Sequence, residues 1–192
     1  MKKLLFASAI LCSLMFYGCL DAEKTMITLE IHPDLQGKLT LEFLGITSTE
    51  KTPEARKTEM SKFVSGEYRS EAAKIVEEWS LTDYTPTISN KTDLKCDGKI
   101  VGDFKNLVRT LTPLTDENGA VYQIQRDKDR FSFTVSGISY TKDDMTLTIT
   151  YAGKILENNA QHYDAATGRM EWNLGKLDAA GIHFVLETAP SH

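Results

Sequence analysis

The sequence predicts an α+β domain, an antiparallel, twisted β-sheet of about six to eight strands packed by one face on two or three α-helices. Three observations carry that prediction. Apolar residues alternate with polar ones near the start of the chain and again through its last third. An apolar stripe at helical spacing runs through residues 60–79. Threonines occupy the polar positions of several strands, as on a sheet with one solvated face.

The first strand signal is Ile27, Leu29 and Ile31, with Thr28 and Glu30 opposite. Leu39, Leu41 and Phe43 repeat it after Pro33-Asp34-Leu35-Gln36-Gly37, and the turn chemistry of Pro33, Asp34 and Gly37 makes a β-hairpin. Thr52-Pro53-Glu54 then opens a helix: the Thr caps, the Pro is preorganised for the first turn and the Glu suits the positive helix end. Met60, Phe63 and Val64 begin its apolar stripe, and Ser65-Gly66 is expected to break or bend it. Tyr68, Ala72, Ile75, Val76 and Trp79 continue the stripe against a solvated face of Glu71, Lys74, Glu77 and Glu78. Core packing is the first expectation for Tyr68 and Trp79, and the wall of a ligand site the second.

Residues 85–101 are weakly patterned. They read as an irregular strand or hairpin with Leu94 and Cys96 inward and Asp97-Gly98 as a turn. A short amphipathic helix is expected from Asp103 to Leu111, with Phe104, Leu107, Val108 and Leu111 on its core face and Pro113 as its stop. The remaining strands are read from Val121 to Arg126, then around Phe131, Phe133 and Val135. Further ones follow at Met145, Leu147, Ile149 and Tyr151, at Met170, Trp172 and Leu174, and at Ile182, Phe184 and Leu186.

The chain begins Met1-Lys2-Lys3, followed by an apolar run from Leu4 to Tyr17 and then Gly18-Cys19. The run falls short of the roughly 20 residues a spanning helix needs. It resembles a bacterial lipoprotein signal peptide, with a cationic start, a hydrophobic segment and a small residue before a Cys. That resemblance implies that residues 1–18 are removed, that Cys19 carries the lipid, and that residues 19–192 form one envelope domain tethered to a membrane. Phe16 and Tyr17 are larger than the usual residues of such a signal, and an ordinary cleaved secretory signal is the alternative. Cys12 follows bulky Leu11 and sits within the run, so it is the poorer attachment point. Leu20, not Asp, follows Cys19, which favours the outer membrane in a host that has one. The two chains of a diacylglyceryl group would anchor stably where one would not.

The 192-residue chain has a net charge of −5, and loss of Lys2 and Lys3 makes the remainder more acidic. Nucleic acid and basic-patch attachment to an anionic bilayer are therefore not expected. With Cys19 acylated, only Cys96 remains, no intrachain disulfide can form, and Cys96 reads as a small buried hydrophobe. His32, His162, His183 and His192 form no metal-binding spacing. Asp116-Glu117-Asn118-Gly119 lacks the alternating ligands of a calcium loop, and Asp127-Lys128-Asp129 and Asp143-Asp144 sit where turns belong. No catalytic motif, metal or cofactor is expected. Were there an enzyme site, Cys96, His162 and Asp164 would be the places to look.

The opening hairpin, with Pro33-Asp34 and Gly37 at its turn, is similar to the start of LppM-like bacterial lipoproteins. Tyr151-Ala152-Gly153-Lys154-Ile155, Asn159, Thr167-Gly168 and Glu171-Trp172 resemble that family's strand, Gly-Lys turn, Asn and Gly-then-Trp strand. The resemblance covers most of residues 19–187. It implies a curved sheet packed on helices, an affinity for lipids or glycolipids, and no catalytic residue.

Two functions follow as expectations. In the first the chain is a non-enzymatic module binding a lipid or other amphiphile, with Tyr68 and Trp79 at the ligand. In the second it is a structural or protein-interaction lipoprotein with a filled core. An apolar cavity of roughly 300 Å³ or more between sheet and helices would favour the first.

Overall fold

The computed structural model describes residues 20–114, 120–137 and 144–189. The signal segment, Cys19, the Asp116–Gly119 stretch, Asp143 and His192 lie outside them. The α+β class is the observed one. The strands are β1 (Leu20–Asp21), β2 (Lys24–Ile31), β3 (Gly37–Ser48), β4 (Thr82–Ser89), β5 (Lys95–Phe104), β6 (Val121–Asp127), β7 (Arg130–Ser136), β8 (Met145–Tyr151), β9 (Ile155–Asn158), β10 (His162–Asp164), β11 (Arg169–Asn173) and β12 (Ile182–Glu187). The helices are α1 (Pro53–Lys62), α2 (Tyr68–Glu78) and α3 (Leu107–Leu111).

The strands form two sheets. The larger has eight strands, in the order β10-β11-β8-β2-β3-β5-β4, with β1 beside the end of β3. It is not wholly antiparallel, because β2 and β8 run parallel, with Ile27 beside Leu147 and Leu29 beside Ile149. Parallel neighbours need a long connection, and here everything from β3 to β7 supplies it. The second sheet has four antiparallel strands in the order β6-β7-β12-β9. Sequence alternation marks the strands of both sheets in the same way and does not say which strands share one.

The inner face of the large sheet carries Ile27, Leu29, Ile31, Leu39, Leu41, Phe43, Ile100, Leu147, Ile149 and Trp172, all buried. The outer face is threonine-rich, with Thr28, Thr40, Thr146 and Thr150 part-exposed, as the period-two pattern requires. The second sheet packs on the β11 side of the inner face. There Phe184 stacks on Phe133, with ring centroids 5.3 Å apart, and lies 6.2 Å from Trp172. The helices cover the β3–β5 side: the Tyr68 hydroxyl reaches the Lys99 carbonyl, 3.0 Å away.

Helix α1 begins as its capping residues predict, with the Thr52 hydroxyl accepting from the Ala55 amide and Pro53 in the first turn. Ser65-Gly66 does not break the helix. Residues Phe63–Glu67 widen into one π-helical turn and α2 continues. Three local expectations change. Asp97-Gly98 lies within β5 and not in a turn, because the Asp97 carboxylate is occupied by the Gly45 amide and the Asn90 side chain. Leu94 falls in the β4–β5 turn and is exposed. Phe104 ends β5, so the helix starts only at Leu107, where Asn106 caps it through the Arg109 amide, and Val108 is exposed.

Candidate functional site

The sequence-predicted ligand residues are core residues. Tyr68 opens α2 and is 3 % exposed, and Trp79 directly follows α2 and is fully buried. The Tyr68 ring meets Phe63 edge-on at 5.4 Å. It also lies over Gly98, where an added Cβ would stand 3.1 Å from the ring. Burial pushes the Tyr68 phenol well above its ordinary range, opposed in part by the bond to Lys99. Neither residue lines any of the three grooves described below.

The first groove, of about 470 Å³, lies on the flank of the long helix at its π-turn. Met60, Ser61, Val64 and Ser65 form its helix wall, and Thr92 and Asp93 of the β4–β5 turn face them. Lys57 pairs with Asp93 across the groove at 3.1 Å, both side chains being more than half exposed. Met60 and Phe63 are buried at ordinary helical spacing and Val64 stays part-exposed, while the π-turn sets the next buried ring, Tyr68, five residues after Phe63. The result is an apolar floor with hydroxyl and charged groups at the rim.

The first described residues lie near the elements that form this groove. Leu20 pairs with Ser48, whose hydroxyl donates to Glu59, the neighbour of Met60. Glu23 is joined to Lys95 at 2.6 Å, next to the β4–β5 turn.

A second groove, of about 400 Å³, runs between the β8–β9 and β10–β11 turns. Tyr151, Lys154, Tyr163 and Thr167 line it. The motif residues quoted from the sequence sit beside it, and their roles are structural. Gly168 has φ +64°, and a Cβ there would stand 2.4 Å from the Tyr151 carbonyl. The Asn159 side chain joins the two sheets. Its Oδ1 accepts from Trp172 Nε1 (3.0 Å) and from the His183 amide (2.8 Å), and its Nδ2 donates to the Gly181 carbonyl (3.1 Å). A third groove, of about 220 Å³, involves Asp34, Lys105, Val108 and Arg126.

The residues named for an enzyme site do not converge. Cys96 is buried on β5, His162 and Asp164 lie on the exposed edge strand β10, and His183 is on β12 of the other sheet. Burial, aided by neighbouring Asp97, pushes the Cys96 thiol up to about 11. The Asp97 carboxyl is lowered, first by the Gly45 amide and then by Asn90. The Asp164 carboxyl is lowered by the Thr167 hydroxyl and the Ala166 amide, bonds that close its turn. His183 Nδ1 bonds the Thr134 hydroxyl at 2.9 Å. Among the described residues, no group of three or more His, Cys, Asp and Glu side chains gathers as a metal ion would require, and no helix is long and apolar enough to cross a membrane.

No family model matches the chain, and no curated protein matches it. A solved structure similar to it is the NMR structure of the folded domain of LppM from Mycobacterium tuberculosis. That structure shares 10 % identity and a TM-score of 0.45, over 100 % of this chain and 96 % of the other.

Proposed function

We propose that the chain is a bacterial envelope lipoprotein, tethered through Cys19, that holds an amphiphile on its exterior without catalysing a reaction. The signal-like first 19 residues support the tether. The observation that carries the binding reading is the open groove of about 470 Å³ at the π-turn, with Met60 and Val64 in its lining. Met60 and Val64 offer an acyl chain an apolar floor. Ser61, Ser65, Thr92 and the Lys57–Asp93 pair offer polar partners to a headgroup. Tyr68 and Trp79 support the groove from the core and do not touch the ligand.

The test is a titration of the full chain with the fluorescent probe dansyl-undecanoic acid. The expected result is a blue-shifted emission that weakens about tenfold in affinity on Val64→Trp, which fills the groove floor. Emission that stays unshifted would instead favour the second reading, an interaction lipoprotein. That reading draws on the filled space around Tyr68 and Trp79. The tether is tested separately, since Cys19→Ser is expected to leave the membrane fraction.

A further inference from the structure

The two sheets present four edges, and three of them are blunted. Strand β4 carries Pro86 and a register shift between Thr82 and Thr85. Strand β10 has three residues, and β9 has four, with a register shift against it in β12. Such features keep edges from pairing with other chains. The fourth edge, β6, has none of them. It is seven residues long, lacks Pro and Gly, and pairs with β7 without a shift. Among the described residues no strand lies on its other side. All its residues but Ile124 are exposed, Val121 by 70 % and Tyr122 by 57 %.

The geometry points to a second copy of this chain as the occupant of that edge, joined by antiparallel β6–β6 pairing centred on Ile124. In an antiparallel ladder, facing residues turn their backbone groups the same way. A self-pairing is therefore centred on a residue and never between two. The sequence Val121-Tyr122-Gln123-Ile124-Gln125-Arg126-Asp127 then offers few choices. Centring on Gln123 or Gln125 pairs only part of the strand, and centring on Gln125 also sets Ile124 against Arg126. Centring on Ile124 pairs all seven residues, and every pair but the end pair of Val121 with Asp127 is compatible. Ile124 meets Ile124. Gln123 meets Gln125 twice, amide to amide. Tyr122 meets Arg126 twice, a guanidinium beside a phenol ring. Tyr122 and Ile124 stand opposite Val135 and Phe133, so they lie on the core side of the sheet. The two cores are thereby placed on one side of a continuous eight-stranded sheet. This inference rests on the edge strand alone and does not depend on the amphiphile groove.

Single-cysteine crosslinking of the full chain in detergent micelles tests the register, with the unsubstituted chain as background. Facing Cα atoms in a strand pair are close enough for a disulfide or a short bismaleimide. Ile124→Cys is expected to crosslink to itself. Gln123→Cys is expected to crosslink only when mixed with Gln125→Cys. Both glutamines are exposed, so these variants fold even should Ile124→Cys not. A chain sedimenting as a monomer with background crosslinking, or self-crosslinking of Gln123→Cys, overturns the proposal. Sedimentation supplies a second reading. Gln123→Lys/Gln125→Lys places like charges opposite one another and is expected to be monomeric. Mixing it with Gln123→Glu/Gln125→Glu is expected to restore a dimer, and failure of that rescue also overturns the pairing.

Discussion

One side of the large sheet's inner face is covered by a helix and the other by a second sheet, and the two covers are held by different means. On the helix side, Phe63, Tyr68, Ala72, Ile75 and Trp79 are buried by apolar packing, with the Tyr68–Lys99 bond as a directional addition. On the other side, the aromatic rings of Trp172, Phe184 and Phe133 pack together, and Asn159 adds three part-buried hydrogen bonds, to Trp172, His183 and Gly181. A helix can settle on a sheet by rolling and sliding until its stripe is covered. Two sheets facing each other must also agree in register, and a side chain bonded to both imposes that agreement.

The comparison breaks most visibly at Trp79. Trp79→Ala removes the largest fully buried side chain on the helix side and is expected to cost about 3–5 kcal/mol, read from urea unfolding. A loss below about 1 kcal/mol would mean that the helix collapses onto the gap. Next comes Asn159→Ala, which strands Trp172 Nε1 and the His183 amide and is expected to cost about 2–3 kcal/mol. Asn159→Asp keeps the accepting oxygen but turns a carboxylate oxygen toward the Gly181 carbonyl, so it sharpens the test by costing less at low pH, where the protonated carboxyl can donate to that carbonyl, than at neutral pH. The smallest effect is expected from Tyr68→Phe, which deletes the bond to the Lys99 carbonyl and should cost about 0.5–1.5 kcal/mol. If Tyr68→Phe proved as damaging as Asn159→Ala, the two covers would not differ in kind.

Those residues also show what the sequence makes legible. Ile27, Leu29 and Ile31, and the stripe from Met60 to Trp79, carry periods that depend only on one buried face, and the structure follows them. The parallel β2–β8 pair and the separate second sheet are matters of which strand lies beside which, and alternation is silent on that. Strands β9 and β10 were missed because four and three residues are too short to show a period. Tyr68 and Trp79 read first as core and second as ligand wall, and the pattern alone does not separate the two, since burial selects the same residue types for both. The groove depends on a π-turn, which Ser65-Gly66 marked as an irregularity without giving its form. Asn159 was visible as a motif residue, but its three bonds join β11 and β12 to a loop, a relation that exists only after folding.

The parallel pairing of β2 with β8 also sets an order of events in time. As the chain emerges from its N-terminus, β2, β3, β4, β5 and the long helix find most of their partners among one another, within residues 24–104, and can assemble before β8 exists. The edge of β2 that pairs with β8, with Ile27, Leu29 and Ile31 on the sheet face beside it, then waits for β8, which arrives only after the β6–β7 hairpin has been made. Until Met145–Tyr151 is delivered, the half-built domain carries an open apolar seam through what will become its centre. Closing that seam is the slow, non-local step of folding, and a chain halted before residue 145 is the form most in need of a chaperone.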